Sequence, residues 1–344
     1  MLEIDGSQKS GSGTILRLSI ALAAINQEPL HIYNIRHSRR QPGLRPQHLE
    51  SVITATKLCD AETEGVKLGS RELWFKPNGI LSGEVRAEIG TAGSISMLLL
   101  MVLPICAYAK GDVEVHVVNG GTDVRYAPTI NYMKYVLLPV LERMGLKASL
   151  TVKKFGYYPK GIGEVTLKVK PVSKLTPLRI EEFGEIQEIK GVSVCTFLEK
   201  QKVAERQSEA AIYTLKNHGY DTKIRVVNDR SNTFQRGSSM VLWAKTSKGV
   251  LLGGDAIGKL RKSSEAVGKE AAENLLKETE AKATVDVHLA DMLIPYIALA
   301  NGTSTYLTRK ITDHIDTNIW LTEKILGINI QVTKAGNQYR IEKT

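Results

Sequence analysis

Apolar and polar positions follow one another along this chain in an order that recurs. A short strand, Leu2 to Ile4, precedes a small polar loop, Asp5 to Gly13, and then an apolar helix over Thr14 to Asn26. Strand Leu30 to Ile35 leads through an arginine-rich loop to a second helix from Pro46 to Leu58, and strands are predicted around Val66 to Leu68 and Glu72 to Phe75. The order returns as strand Gly83 to Ile89, apolar helix Gly90 to Ala109, alternating strand Asp112 to Asn119, helix Pro128 to Met144, and strands Ala148 to Lys153 and Glu164 to Lys170. A third round is predicted as strand Ala283 to Val287, helix Leu289 to Ala300, strand Ser304 to Thr308, helix His314 to Leu326, and hairpin Asn329 to Lys334 with Gln338 to Glu342. The unit is therefore strand, helix, strand, helix, strand, strand, about 65 to 85 residues each time.

Between the second and third rounds, Glu181 to Thr279 breaks the pattern. It predicts strand Gly191 to Phe197, amphipathic helix Val203 to His218, strand Lys223 to Val227, hairpin Met240 to Lys245 with Gly249 to Gly253, and helix Ser264 to Glu278. These elements suffice for a small core of their own. The expected class is α+β, three α/β repeats carrying an inserted smaller α+β domain. The expected division is 1–180 for repeats one and two, 181–279 for the insert and 280–344 for repeat three.

Composition changes this picture in two ways. The net charge of +10 favours a polyanionic partner. The uncharged run 89–109 opens on Gly90, Gly93, Ser94 and Ser96 and is interrupted by Pro104, so a fully buried helix is expected rather than a membrane span. No signal peptide is expected, because Asp5 and the polar run after it occupy the place of an apolar region. Cys59, Cys106 and Cys195 form no metal-ligand spacing and read as packed thiols in a reducing cytoplasm, with an intermolecular disulfide as the alternative. A homo-oligomer is left open.

Several residues break local rules. Arg36, Arg39, Arg40 and Arg45 fall within one loop, without a carboxylate until Glu50; guanidinium forks suit phosphate oxygens, and a solvated basic loop is the plainer alternative. Arg17 interrupts an apolar helix, so it either reaches an anion or snorkels to solvent. Asp291 is the matching charge in the third round, read either as an N-terminal helix acid or as a metal or ribose contact. The loops Asp5 to Gly13 and Gly120 to Asp123 have the small residues that let backbone amides approach phosphate, though neither is a Walker motif. His314 opens a helix, where a neutral imidazole is favoured and an anion welcome.

Taken in order, Asp5-Gly6-Ser7, Ile15-Leu16-Arg17, Ile35-Arg36, Arg39, Pro42-Gly43-Leu44, Gln47-His48-Leu49, Gly120-Gly121-Thr122-Asp123, Gly156-Tyr157-Tyr158-Pro159, Leu289-Ala290-Asp291 and His314 with Thr317-Asn318 resemble the RNA 3′-terminal phosphate cyclase family, in its archaeal type. The resemblance spans essentially the whole chain. It implies three repeats related to the enolpyruvyl transferase architecture, with a smaller insert. It implies a ligase that uses ATP and a divalent cation, Mg or Mn, on an RNA with a 3′-phosphate. His314 would be adenylylated, and Arg17, Arg36 and Arg39 would hold phosphates. Gln47, Leu100, Pro128, His288, Leu289, Ala290, Asp291 and Met292 would line the nucleotide site; the metal ligands are not set. The family's loop Gly-Glu-Gly-Gly-Gly-Gln is here Lys9-Ser10-Gly11-Ser12-Gly13-Thr14, so Ser10 replaces a metal-binding acid. Leu100 and Met292 stand where many members have glutamine, and Ile162 enters the turn after Pro159. A non-catalytic, cyclase-like RNA-binding protein of ribosome assembly is the rival that Ser10 favours and His314 opposes. A carbon-chemistry transferase on the same repeat ranks below it.

Overall fold

A computed structural model describes residues 1–344. Repeat one is β1 (Leu2–Asp5), α1 (Gly13–Asn26), β2 (Leu30–Tyr33), α2 (Pro46–Cys59), β3 (Glu62–Glu64) and β4 (Leu73–Lys76). Repeat two is β5 (Gly83–Glu88), α3 (Ile95–Ala107), β6 (Val113–Gly120), a segmented helix, β7 (Lys147–Lys154) and β8 (Gly163–Lys170). The segmented helix is α4 (Ile130–Tyr132), a π-helical turn over Met133–Leu137, and α5 (Leu138–Arg143). Pro139 explains the interruption: it has no N–H, and its ring crowds the carbonyl one turn back.

The third repeat begins before the insert. Strand β9 (Arg179–Ile180) precedes the inserted β10 (Ile186–Thr196), α6 (Val203–Lys216), β11 (Thr222–Asp229), β12 (Gly237–Thr246), β13 (Leu251–Ile257) and α7 (Ser264–Glu280). The repeat then resumes with α8 (Val287–Leu299), β14 (Ser304–Thr308), α9 (Asp313–Leu326), β15 (Ile330–Ala335) and β16 (Gln338–Lys343). The repeat sheets run β1-β2-β4-β3, β5-β6-β8-β7 and β9-β14-β16-β15, one strand order three times. In each, the first two strands are parallel and the remaining pairings antiparallel. The insert has its own sheet, β11-β10-β12-β13, with α6 packed against α7.

Two expected strands are corrected. Ala283 to Val287 is not a strand: Thr284 and Val285 both donate backbone N–H groups to Leu307 O, and Asp286 caps α8. The strand beside β14 is β9, whose Arg179 and Ile180 pair with Thr305 and Tyr306. Val66 to Leu68 is a turn, because Gly65 at φ +76° ends β3 and any Cβ there would lie 2.5 Å from Glu72 O.

Burial explains the apolar helices. Helices α1, α3 and α8 are buried over most of their surface, and one apolar cluster joins all three repeats and the insert. The run 89–109 forms buried α3, and no helix is long and apolar enough to cross a membrane. Cys59, Cys106 and Cys195 are free and buried, the packing expected of them, and burial pushes the Cys59 thiol up to about 12.

Candidate functional site

The cavity of interest opens where α1 of repeat one, α3 of repeat two, and α8 and α9 of repeat three converge. Ser12 caps α1 by accepting from Thr14 N–H, and Thr312 caps α9 by accepting from Ile315 N–H. These caps set Thr14 and His314 in the first turns of two packed helices. Thr14 Oγ1 lies 3.2 Å from His314 Nδ1, and Arg17 Nη2 donates to the same Oγ1 at 3.2 Å. Lys9 Nζ pairs with Asp316 at 3.0 Å, and Ser10 N–H donates to Thr317 Oγ1 at 3.2 Å, so the glycine loop is tied to α9. First and third repeats, about 300 residues apart in sequence, therefore meet at the imidazole.

The cavity has a volume of about 410 Å³, within the range of small-molecule sites. Around His314 the lining is polar: Thr14 and Arg17 bond there, and Asn318 Nδ2 donates to Asp291 O at 2.8 Å. The lining also includes the apolar Leu18, Met97, Leu100, Pro128 and Met292, with Tyr132, His288 and Asp255. Such a mixed lining suits a ligand that carries both a flat heterocycle and anionic groups.

Charge shapes the surroundings of His314. Partial burial, then the positive charges of Arg17 and Arg39, push the His314 pKa down, so neutral imidazole predominates at neutral pH. Burial lowers the Arg17 pKa to about 10, with Asp291 opposing and Arg36 and Arg39 reinforcing the shift. Burial raises Asp291 to about 7, against the pull of His288 and Arg17. Behind them His48 is buried, its Nδ1 has no partner, and burial among Arg17, Arg36, Arg39 and Arg45 depresses its pKa to about 2.

The arginine loop divides into unlike members. Arg36 Nη1 donates to Gln41 O and Gly43 O, both at 2.8 Å, so it braces the loop. The side chains of Arg39, Arg40 and Arg45 make no hydrogen bond or ion pair. Arg39 is exposed and acts on both Arg17 and His314 by its charge. The glycine-rich loop abuts this segment: a Cβ on Gly11, at φ +53°, would lie 2.0 Å from Ser38 Oγ.

Of the other residues expected at a nucleotide site, Leu100, Pro128, His288, Asp291 and Met292 line the cavity. Leu289 and Ala290 do not: both are buried in the core on the inner face of α8. Gln47 is also outside it. Its Oε1 accepts from Ser94 N–H at 2.7 Å, tying the start of α2 to the start of α3. The Gly120 to Asp123 loop spends its polar groups internally. Thr122 Oγ1 donates to Asp123 Oδ2, and Asp123 Oδ1 accepts from Ile130 N–H.

Sequence reading missed Thr14 as the imidazole's partner, Tyr126 and Tyr132 in the wall, and Asp255, which the insert contributes. The adjacency of Thr14 to the glycine loop was the one available signal. Asp255 had none, because β13 reaches the cavity only through tertiary packing.

The donors do not make a resident divalent-cation cage. Asp255 Oδ2 accepts from Thr129 N–H, Asp291 is held toward its neutral form, and Ser10 and Ser12 hydroxyls bond one another at 3.0 Å. The one clustered donor set, Glu84, Glu114 and His116, lies on β5 and β6, shares no residue with the cavity, and has Lys168 at 2.8 Å from Glu114.

The family profile described as RNA 3′-terminal phosphate cyclase matches residues 8–332. An RNA 3′-terminal phosphate cyclase from Pyrobaculum aerophilum is 41% identical over 341 residues, covering 99% of this chain and 97% of that one. The protein of the same description from Pyrococcus furiosus is 43% identical over 327 residues, covering 95% and 94%, and that from Methanosarcina mazei is 40% identical with 99% of each covered. Among solved structures, the enolpyruvyl transferase NikO from Streptomyces tendae aligns over 99% of this chain and 48% of its own, with 11% identity and a TM-score of 0.37, a likeness that carries no argument. On the full-length match and the sequence relatives, the chain belongs to the RNA 3′-terminal phosphate cyclase family.

Proposed function

We propose that this protein uses ATP to convert an RNA 3′-terminal phosphate into a 2′,3′-cyclic phosphate, by way of an adenylate on His314. The single observation that carries the reading is His314 itself: a ring with its pKa pushed down, oriented by Thr14 and flanked by Arg17 in a nucleotide-sized cavity.

The steps follow from that geometry. In the tautomer whose Nδ1–H donates to Thr14 Oγ1, 3.2 Å away, Nε2 keeps its lone pair and attacks the α-phosphorus of ATP. The P–N bond forms as the bond to pyrophosphate breaks, and Arg17 and Arg39 offset the charge that develops. An oxygen of the RNA 3′-phosphate then attacks the AMP phosphorus and frees His314. The vicinal 2′-OH attacks the RNA phosphorus, its proton passes to solvent, and AMP leaves. The apolar lining takes the adenine, with Pro128 and His288 beside it. A divalent ion belongs with the phosphates of the nucleotide in this reading, and no step is routed through it. Buried, unpaired thiols suit residence in the cytoplasm.

The test is incubation with ATP labelled at the α-phosphate, followed by measurement of acid-labile label on the protein. Wild type takes label and His314→Ala takes about 1,000-fold less or none. Equal labelling of the two overturns the mechanism, and no cyclised RNA from wild type overturns the activity.

A further inference from the structure

A second cleft, of about 400 Å³, lies where the 156–161 loop of repeat two meets the 229–237 loop of the insert. Tyr158 and Phe234 line it with most of their rings in solvent, 81% and 70% exposed. Lys160 and Arg236 line it too, both exposed and in no ion pair, and no carboxylate does. Two large exposed aromatics lining one cleft make the kind of contiguous apolar surface that marks an interaction site.

The seat of this cleft is closely fitted and hydrogen-bonded. Asn232 Nδ2 donates to Phe155 O at 2.7 Å, and Tyr157 N–H donates to Gln235 Oε1 at 2.8 Å. A Cβ on Gly237 would lie 2.2 Å from the Tyr157 ring, so the insert and the repeat fit closely here. Two buried polar atoms of this loop, Gln235 Nε2 and Ser231 Oγ, have no partner, and Gln235 itself lines the cleft.

The cleft is linked to the nucleotide cavity by a single short segment. Gly120 and Thr122 pack on Gly156 and Gly163, while Tyr126, Ala127 and Pro128 line the cavity. On its other side the same loop touches the path to the arginine loop: a Cβ on Gly161 would meet Thr91 O, and one on Gly93 would meet Gln47 Cβ.

We infer that this cleft holds unpaired bases of the RNA a few nucleotides upstream of its 3′ end, stacked on Tyr158 and Phe234, with Lys160 and Arg236 on the backbone. Rings with solvent-facing surfaces, two free cations and no acid are what single-stranded nucleic acid needs for sequence-tolerant binding. The inference rests on the cyclase reading and adds a subsite to it.

The test uses the full chain and two RNAs bearing a 3′-phosphate, a dinucleotide and an unstructured oligonucleotide of about 16 nucleotides. Binding is read by fluorescence anisotropy, and cyclisation by KM and kcat. The Tyr158→Ala/Phe234→Ala double variant weakens binding of the long RNA about tenfold or more and raises its KM alike, with kcat, dinucleotide cyclisation and self-labelling from ATP unchanged. Tyr158→Phe restores binding at that position. Lys160→Ala/Arg236→Ala lowers the slope of log affinity against log salt by about 1.4. Equal effects on long and short RNA, or unchanged binding of the long RNA, overturn the subsite and leave the rings to some other partner. Wild type that binds the long RNA through these rings yet cyclises neither substrate overturns the cyclase reading and leaves the subsite standing.

Discussion

Helices α1, α3 and α8 hold the same place in the three repeats and are apolar over most of their length, yet they differ in charge. Helix α1 carries Arg17, α8 carries Asp291, and α3 carries no charge. Both charges face one cavity, where α3 supplies Met97 and Leu100. The repeated fold is therefore a scaffold that buries three equivalent helices, while the chemistry is distributed unequally over it. A lone charge on a buried helix is tolerated where a cavity reaches it, since full burial without a partner would cost several kcal/mol. Repeat two has no such charge and serves as wall and as joint.

This asymmetry can be broken at its charged members first. Arg17→Met removes the cation nearest Thr14 and His314. Self-adenylylation should fall about 100- to 1,000-fold in single-turnover assays without a matching loss of Tm. Arg39→Ala should act more weakly, about tenfold in rate at neutral pH. It should also move the acid limb of the pH–rate profile. In the proposed mechanism His314 attacks in its neutral form; its pKa lies below the usual 6.5, and removing the Arg39 charge raises that pKa, so the limb shifts to higher pH. An unchanged limb would mean Arg39 does not act on His314.

Asp291 offers a smaller effect, read in stability. Its pKa is raised from 3.8 to about 7, so the folded chain binds a proton more tightly than the unfolded chain across that window. The contribution of this group to stability is accordingly full below the window and is lost as pH rises through it. Asp291→Asn should flatten the decline in Tm, and an unaltered slope would assign it elsewhere, with Asp123, raised to about 7 by burial, the next group to test. Smallest is Leu100→Ala in the uncharged wall, which should raise KM for ATP by about tenfold at most and leave kcat alone.

Much of the scaffold was legible because its signals are local. Long apolar helices buried on most faces, and strands of alternating character such as β6 and β8, announce themselves by period. The first strand of repeat three was not, because β9 has two residues and its partner β14 lies beyond the insert. The polar positions diverged for a related reason. Arg17, Asp291 and His314 could be singled out because each disturbs its own helix. The bonds that Gln47 and Arg36 make to backbone groups had no sequence signal, because those groups are brought near only by folding. Thr14 looks like a helix-start residue, and its contact with His314 exists only once α1 and α9 pack.

The split third repeat has a consequence for how this protein is made. Strand β9 leaves the ribosome with the insert still to come, and β14, its neighbour in the sheet, follows only after α7 and α8. At about 5 to 20 residues per second, β9 waits several seconds or more for that neighbour. The first two repeats and the insert can form their local sheets during this interval, but His314 is not yet synthesised. Under the proposed mechanism the nucleophile is thus among the last parts of the site to be made, and the cavity is completed as one late event, when α9 docks on α1.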